Sequence, residues 1–326
     1  MRILVTGATG FIGRYLSFKL AEQGYNVVAL CRNVNHPYLI PHKNITAVKG
    51  DILDRPSLIS AMKDCQQVYH TAALAKMWRR DKNDYYNINV AGTRNVLELA
   101  MDLYISKIVY TSTCGVWGPT IKHPMTENDP RIDGFAIDYE RTKYLAEIET
   151  RIYANKGLNV VTVNPSRVYG EGPITDSNTV GKMIYGYLKG KWRIIPGKGT
   201  QVSNYAYLDD VVNGHIAAME QGEPGNRYIL GGEDISFNTF FDTLQNISGK
   251  SHNMIRLPQR IIEAYSHFEK LKTSLTGLPP VFLPEFAARL RRDQKYSSQK
   301  AIAKLNYHIT PFAEGMAKTI NHIKNL

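Results

Sequence analysis

A glycine-rich turn, Thr6-Gly7-Ala8-Thr9-Gly10-Phe11-Ile12-Gly13, follows the apolar run Ile3–Thr6 and opens a helical pattern that reaches Leu20 and Ala21. The chemistry such a turn supports is anion binding. Gly7 permits the tight bend, Gly10 lets a pyrophosphate approach the backbone, and Gly13 lets the helix pack closely on the sheet. Thr9, Phe11 and Ile12 complete the cradle, and the N–H groups at the helix start donate to the anion. The bland alternative is an ordinary strand–helix turn. A second run ends at Leu30, where a dinucleotide-binding protein that prefers NAD would carry an acid for the ribose 2′-hydroxyl. The next residues here are Cys31 and Arg32. An arginine pairs with a 2′-phosphate through a charge-assisted bond, so the reading is NADP, with NAD possible if Arg32 merely lies on an exposed loop. Asp51, after Gly50, is placed to accept from an adenine amino group, or is a loop residue. Tyr139 and Lys143 put a phenol and an ammonium on one face of a helix. The Tyr-x-x-x-Lys spacing is not unique to Tyr139 and recurs at Tyr185, Tyr187 and Tyr296 among others, so position has to choose among them.

The elements that position these groups read as alternating strands and helices. Apolar runs at Ile3–Thr6, Asn26–Leu30, Thr46–Val48, Gln67–His70, Lys107–Thr111 and Asn159–Val163 are separated by helical patterns such as Val96, Leu99, Ala100 and Leu103. That alternation predicts an α/β fold, a Rossmann-type doubly wound parallel sheet with a smaller C-terminal substrate-binding lobe. Tyr139 lies between the Lys107–Thr111 and Asn159–Val163 runs, where its helix would run beside the carboxyl ends of the sheet. Tyr205–Leu208 is expected to return to the sheet, and Arg227–Leu230 to start the rest of the second lobe. The expected division assigns residues 1–165 and about 200–224 to an NADP-binding domain, and about 166–199 and 225–326 to the substrate-binding lobe.

The 326 residues carry 40 Lys+Arg against 29 Asp+Glu, a formal charge of +11, and 43% are hydrophobic. This composition excludes a disordered chain and leaves no membrane span. Residues 251–326 hold 12 Lys+Arg and 5 Asp+Glu, interleaved with apolar positions, which reads as a solvated face and not as a nucleic-acid module. The N-terminus runs straight into the glycine turn without a secretory signal pattern, so the expected location is cytoplasmic. Cys31, Cys65 and Cys114 are too few and too scattered for a disulfide framework or a metal site.

The sequence closely resembles the extended short-chain dehydrogenase/reductase family (NAD-dependent epimerase/dehydratase family), in its dihydroflavonol-reductase-like and hopanoid-associated epimerase-like branches. The resemblance rests on T-G-A-T-G-F-I-G at 6–13, G-D-I at 50–52, H-T-A-A at 70–73, N-V-A-G-T-R-N-V-L at 89–97 and T-S-T-C-G-V-W-G at 111–118. It continues through Tyr139/Lys143, N-P-S-R-V-Y-G at 164–170, Y-L-D-D-V at 207–211, Y-I-L-G-G at 228–232 and the stretch from Tyr296 to Gly315. It implies that Tyr139 exchanges a proton with the substrate oxygen while hydride moves at the nicotinamide. Lys143 would favour phenolate and hold the ribose. Thr113 would bind the substrate oxygen, with Ser112 the alternative, and Asn89 would serve a structural or relay role. Asp51 and Ile52 at the adenine end, Thr71, Ala72 and Ala73 at the adenosine and pyrophosphate, and Pro165 and Val168 beside the carboxamide complete the implied contacts.

Two departures narrow the reaction. Cys114 and Gly115 follow Thr113 where family dehydratases carry an acid, and no arginine lies in Gln201–Tyr205 where nucleotide-sugar enzymes neutralise a diphosphate. Arg167 could face an anionic group of the substrate, or be a structural ion-pair partner. The expected activity is NAD(P)H-dependent reduction of a carbonyl on a small organic molecule, an aldehyde, ketone or dihydroflavonol. The alternatives are a sugar or nucleotide-sugar epimerase with retained cofactor and a non-catalytic NADP-binding sensor. Trp78 with Lys76 and Met77, Trp117, Tyr169 and Thr175–Thr179 are candidate walls of the substrate cleft. Helices starting near Asn89 and Tyr139 are expected, by resemblance, to form a homodimer interface.

Overall fold

The computed structural model describes residues 1–76, 78–120, 122–280 and 283–326, with only the backbone at 286. Its strands are β1 (Arg2–Thr6), β2 (Asn26–Cys31), β3 (Ile45–Lys49), β4 (Gln67–His70), β5 (Lys107–Thr111), β6 (Val160–Pro165), β7 (Arg167–Tyr169), β8 (Ile194–Pro196), β9 (Val202–Tyr207), β10 (Arg227–Leu230), β11 (Glu233–Ser236) and β12 (Ile255–Leu257). The helices are α1 (Phe11–Glu22), α2 (Arg55–Met62), α3 (Asn83–Tyr86), α4 (Gly92–Asp102), α5 (Asp138–Asn155), α6 (Thr179–Leu188), α7 (Leu208–Gln221), α8 (Phe237–Ser248), α9 (Gln259–Thr276), α10 (Pro284–Arg289), α11 (Gln299–Leu305) and α12 (Phe312–Lys324). Between α3 and α4, Asn87–Ala91 form a π turn closed by the Gly92 N–H on the Asn87 carbonyl.

Among the described residues, seven strands form a sheet in the order β10-β6-β5-β4-β1-β2-β3, every neighbouring pair parallel. Side-chain alternation divides its residues between two cores. Ile3, Val5, Val27, Ala29, Val109, Val161 and Val163 enter one layer with Leu16, Leu20, Val211 and Val212 of α1 and α7. Leu4, Val28, Leu30, Ile108, Tyr110 and Val160 enter the other with Leu58, Val96, Leu99 and Ala146 of α2, α4 and α5. Helices on both faces explain why the strands read as continuous apolar runs rather than alternating ones. Each fully buried branched side chain contributes about 1.5–3 kcal/mol. This is the Rossmann-type α/β architecture expected from the sequence. Of the helical stripe, Val96, Leu99 and Ala100 are buried, while Leu103 lies past the helix end and is 39% exposed.

Two placements are corrected. Arg227–Leu230 does not begin the second lobe: it is the seventh strand of the main sheet, paired with β6 from Arg227↔Thr162 to Leu230↔Pro165. The segment around Tyr205 does not return to that sheet. It lies between β7, parallel, and β11, antiparallel, in a separate three-stranded sheet. A four-residue apolar run has no period to distinguish these fates. What decides is the covering layer: Tyr228, Leu230 and Val163 pack with Ala301, Leu305 and Tyr307 around α11, whereas Tyr205 and Tyr207 join Tyr187, Phe240 and Phe312 in an aromatic third core. The basic C-terminal quarter is largely spent in ion pairs, with Arg289 on Glu140, Arg291 on Glu263, Arg292 on Asp133 and Lys270 on Glu285.

Candidate active site

The glycine turn sits at the carboxyl end of β1. Gly7 has φ +72°, and a Cβ there would come within 2.7 Å of the Ala72 nitrogen. A Cβ on Gly13 would lie 2.3 Å from the Gly7 carbonyl oxygen, so both positions require glycine. The Gly10 N–H donates to Gly7 O at 2.8 Å. Gly10 caps α1 with no side-chain acceptor, and no acid stands in the first turn. The turn therefore presents free N–H donors with no competing negative charge, which fits a dinucleotide pyrophosphate. Thr9 and Ile12 are half-buried, while Phe11 is buried and borders Gly172.

Residues 71–73 are held against this turn by a buried chain of hydrogen bonds. The Thr71 hydroxyl donates to Thr6 O at 2.7 Å, and the Ala72 N–H to Thr6 Oγ1 at 3.3 Å. Thr6 Oγ1 lies 2.7 Å from His70 Nδ1, His70 Nε2 2.9 Å from Thr93 Oγ1, and the Thr93 hydroxyl donates to Asn89 O at 2.7 Å. Because Thr93 spends its proton on that carbonyl, His70 is assigned as the Nε2–H tautomer. Burial drives its imidazole down to about 3, with Lys143 adding to the shift, so it is neutral. Ala73 is half-buried and Ile52 packs against Gly92 of α4.

Arg32 is exposed just past β2, at the carboxyl edge of the sheet, and forms no ion pair among the described residues. Asp51 caps its own turn by accepting the Leu53 N–H at 2.9 Å. Pro165 closes β6 in the core, and Val168 is half-buried on β7.

Tyr139 lies in the first turn of α5 with its hydroxyl close enough to the Thr113 side chain to interact with it. Thr113 is extended (φ −158°) and its Oγ1 accepts the Gly115 N–H at 3.1 Å, which orients it. Ser112 is buried and its hydroxyl finds no partner among the described residues. Thr113 is therefore the residue brought to Tyr139. Burial raises the Tyr139 phenol to about 12, against the opposing pull of the Thr113 side chain and the Arg289 cation. Lys143, one turn on, is 1% exposed. Its ammonium donates to Thr111 O at 2.5 Å and lies 4.2 Å over the Tyr110 ring, and desolvation lowers it to about 7. The charges bearing on the phenol are thus Arg289, which lowers it, and Glu140, which raises it, and the sequence reading singled out neither.

Asn89 is fully buried in the π turn. Its Oδ1 accepts the Leu74 N–H at 2.7 Å, and its Nδ2 donates to Thr142 Oγ1 at 3.0 Å. It ties the 71–76 segment to α5 behind the Tyr139 face.

Of the candidate walls, Lys76 and the 175–179 loop come together through Lys76–Asp176 at 3.2 Å. Trp78 is half-buried, and Met77 lies outside the described residues. Two others are corrected. Trp117 is 2% exposed among Cys114, Val116, Met125, Ile229 and Tyr296, and Tyr169 is 1% exposed, its hydroxyl on Phe312 O. Both are core side chains. The competing Tyr-x-x-x-Lys matches lie elsewhere, Tyr187 and Tyr296 in other cores.

A charged cluster stands beside Tyr139. Glu140, 2% exposed, receives Arg289 at 2.7 Å on one oxygen and Arg131 at 3.2 Å on the other. Arg289 also donates to Gln294 Oε1 at 3.1 Å, and Arg167 reaches the same oxygen at 3.4 Å. Arg167 is not an ion-pair residue among those described. Apart from Arg167 these positions escaped the sequence reading. The local signals were Glu140, an acid adjoining Tyr139, and Arg131 nine residues before it; Arg289 and Gln294 reach Glu140 and Arg167 from more than a hundred residues along the chain.

The model of the NAD dependent epimerase/dehydratase family matches residues 3–231. The chain is 30% identical to the "Putative dihydroflavonol 4-reductase" of Synechocystis sp., covering 98% of this chain and 94% of that protein. It is also 30% identical to the "Sterol demethylase protein B" of Methylococcus capsulatus, covering 81% and 79%. Among solved structures, the UDP-glucuronic acid 4-epimerase of Bacillus cereus in complex with NAD superposes with a TM-score of 0.80 at 26% identity, over 100% of this chain and 99% of that one.

Proposed function

This chain belongs to the NAD dependent epimerase/dehydratase family, and from that premise we propose that it is an NADP(H)-dependent reductase of a carbonyl on a small or medium organic molecule. The observation that carries the reading is the juxtaposition of Tyr139 and Thr113 at the carboxyl edge of the sheet, with Lys143 buried one turn behind. When bound, the nicotinamide supplies the hydride that reduces the carbonyl carbon.

The chain's own groups do the rest. The turn at Gly7, Gly10 and Gly13, with Thr9, Phe11 and Ile12, holds the pyrophosphate; Thr71, Ala72 and Ala73 border it, and Arg32 pairs with the 2′-phosphate. Pro165 and Val168 flank the carboxamide end. Asp51 and Ile52 take the adenine end, Asp51 through the carboxylate oxygen not used on Leu53. Thr113 donates to the substrate oxygen and fixes it beside Tyr139. The phenol, raised to about 12 in the free protein, holds its proton at neutral pH and releases it to the oxygen as negative charge develops there. Lys143, lowered to about 7, exchanges a proton near neutrality and holds the ribose. Asn89 keeps α5 in register with the 71–76 segment.

The proposed assembly is a cytoplasmic homodimer through α4 and α5. Size-exclusion chromatography with light scattering tests the dimer, and a monomer would remove it.

A second reading, epimerisation with retained cofactor, is favoured by the likeness to the B. cereus epimerase. In it Tyr139 would remove and return one proton. Following NADPH absorbance with aldehydes, ketones and dihydroflavonols separates the two. Net oxidation of NADPH supports reduction, while a sugar that isomerises without net cofactor use overturns it. Tyr139→Phe is expected to keep the cofactor-induced rise in Tm and to lose about 10²–10⁴ in turnover. Unchanged turnover would remove Tyr139 from the chemistry.

A further inference from the structure

Two arginines meet on one neutral oxygen beside Tyr139. Arg289 Nη2 and Arg167 Nη2 both donate to Gln294 Oε1, at 3.1 and 3.4 Å. Gln294 is 3% exposed, and its backbone is fixed to β9 by hydrogen bonds with Val202 and Asn204. The amide oxygen carries no net charge, so two cations stand within a few ångströms of each other with only a dipole between them.

The local acid does not balance them. Glu140 is shared between Arg289 and Arg131. Arg131 spends its remaining donors on the carbonyls of Gly115, Val116, Asp133 and Gly134, which fixes it as a structural cation. Arg167 has no carboxylate at ion-pair distance among the described residues, and the charged side chain that bears on it is Arg289, which repels it. The acid in its own sheet row, Glu233, stands beyond Tyr205 on β11, where it accepts the Phe312 N–H at 3.0 Å.

A second observation comes from the other side. Arg167 and Tyr205 are register partners across β7 and β9. Tyr205 is 2% exposed, and its hydroxyl has no hydrogen-bond partner of good geometry among the described residues. A guanidinium without a carboxylate, whose neighbour across the sheet is a buried hydroxyl in poor hydrogen-bonding geometry, is costly by itself and is relieved by an acceptor anion.

We infer that Arg167, assisted by Arg289 and the Tyr205 hydroxyl, receives a carboxylate carried by the substrate, so that the carbonyl compound reduced at Tyr139 is an oxo acid. This rests on the reading of Tyr139 as the proton donor. A planar monoanion matches the fork of one uncompensated guanidinium, whereas a phosphate dianion brings more negative charge than the cluster leaves open.

The test uses acetoacetate, its methyl ester, and acetonylphosphonate, which carries a phosphonate in place of the carboxylate. With the full-length protein and NADPH or NADH, kcat/KM for acetoacetate is expected to exceed that for the ester by about 30-fold. That ratio is expected to fall toward unity in Arg167→Gln and to be partly retained in Arg167→Lys. Equal values for acid and ester, or a ratio unmoved by Arg167→Gln, overturn the site; preference for the phosphonate overturns the carboxylate assignment. If none of the three is reduced, the reductase reading fails separately, and the site is judged by binding. Acetoacetate should then raise the Tm of the cofactor-saturated protein where its ester does not, and Arg167→Gln should remove the shift. No shift in the unmodified protein overturns the proposal.

Discussion

The two sides of the candidate site are held together by different forces. On the phosphate-turn side the ties are neutral and join the ends of the adjacent strands β1 and β4 to the start of α4: Gly7 against Ala72, Thr6 to His70, His70 to Thr93, Thr93 to Asn89. On the other side they are ionic and drawn from distant segments, with Arg131, Glu140, Arg167, Arg289 and Gln294 converging beside Tyr139. A neutral buried network fixes geometry with little sensitivity to salt, while a charge cluster stores an imbalance that a ligand can relieve. The first suits a partner of constant shape and the second a partner that varies.

The comparison is broken most forcefully at Glu140. Glu140→Ala leaves Arg289 and Arg131 without their buried counterion and should lower stability by about 3–5 kcal/mol, read by chemical denaturation. A loss under about 1 kcal/mol would mean the ionic side is not structural. Acid tests the neutral side. His70 and His215 are buried and neutral, lowered to about 3 and about 4. As pH falls below the usual value of 6.5, the unfolded chain takes up protons that the folded one refuses, so stability should drop steadily from about pH 6.5 down toward those values. A Tm flat between pH 6.5 and pH 4 would show that one of the imidazoles is charged in the fold. Gly7→Ala should cost about 1–2 kcal/mol from left-handed backbone alone, with the contact to Ala72 added, and should abolish cofactor-induced stabilisation. Retained cofactor binding would separate the turn from the pyrophosphate. The smallest effect is expected at exposed Arg32: Arg32→Ser should leave the Tm of the free protein unchanged while lowering the preference for NADPH over NADH about tenfold or more. An unchanged ratio of the two Kd values would remove Arg32 from the 2′-phosphate.

The same contrast explains what could be read from the chain. The glycine turn, the Tyr139/Lys143 pair and the first six strands are legible because each depends on residues a few positions apart, where spacing alone dictates a bend, a shared helix face or a buried run. Gly13 is required by a contact within its own turn, the Gly7 carbonyl oxygen, and the bend itself asks for the positive φ of Gly7. By contrast, whether Tyr205 or Tyr228 enters the main sheet depends on the layer that covers it, and Trp117 and Tyr169 are core residues because Tyr296 and Phe312 come back from far along the chain. Arg289 and Gln294 carry no local mark at all. Arg167 was visible as a charge in an apolar motif, yet its want of a partner is a fact of the fold.

The turn at Asn87–Ala91 can be restated as a matter of phase. A π turn holds one more residue than an α turn, and a single residue advances a helix by about 100°. The chain from Asn83 to Asp102 therefore behaves as two helices sharing an axis but differing in angle, one part carrying Tyr85 inward and the other Val96, Leu99 and Ala100. Asn89 sits at the offset, where it can reach back to Leu74 and across to Thr142 at once. Removing one residue there would leave composition and length almost untouched, yet it would rotate Gly92 away from Ile52 and turn the inner face of α4 outward. That single residue works as a clock setting, keeping the 71–76 segment and α5 in time with the sheet beneath them.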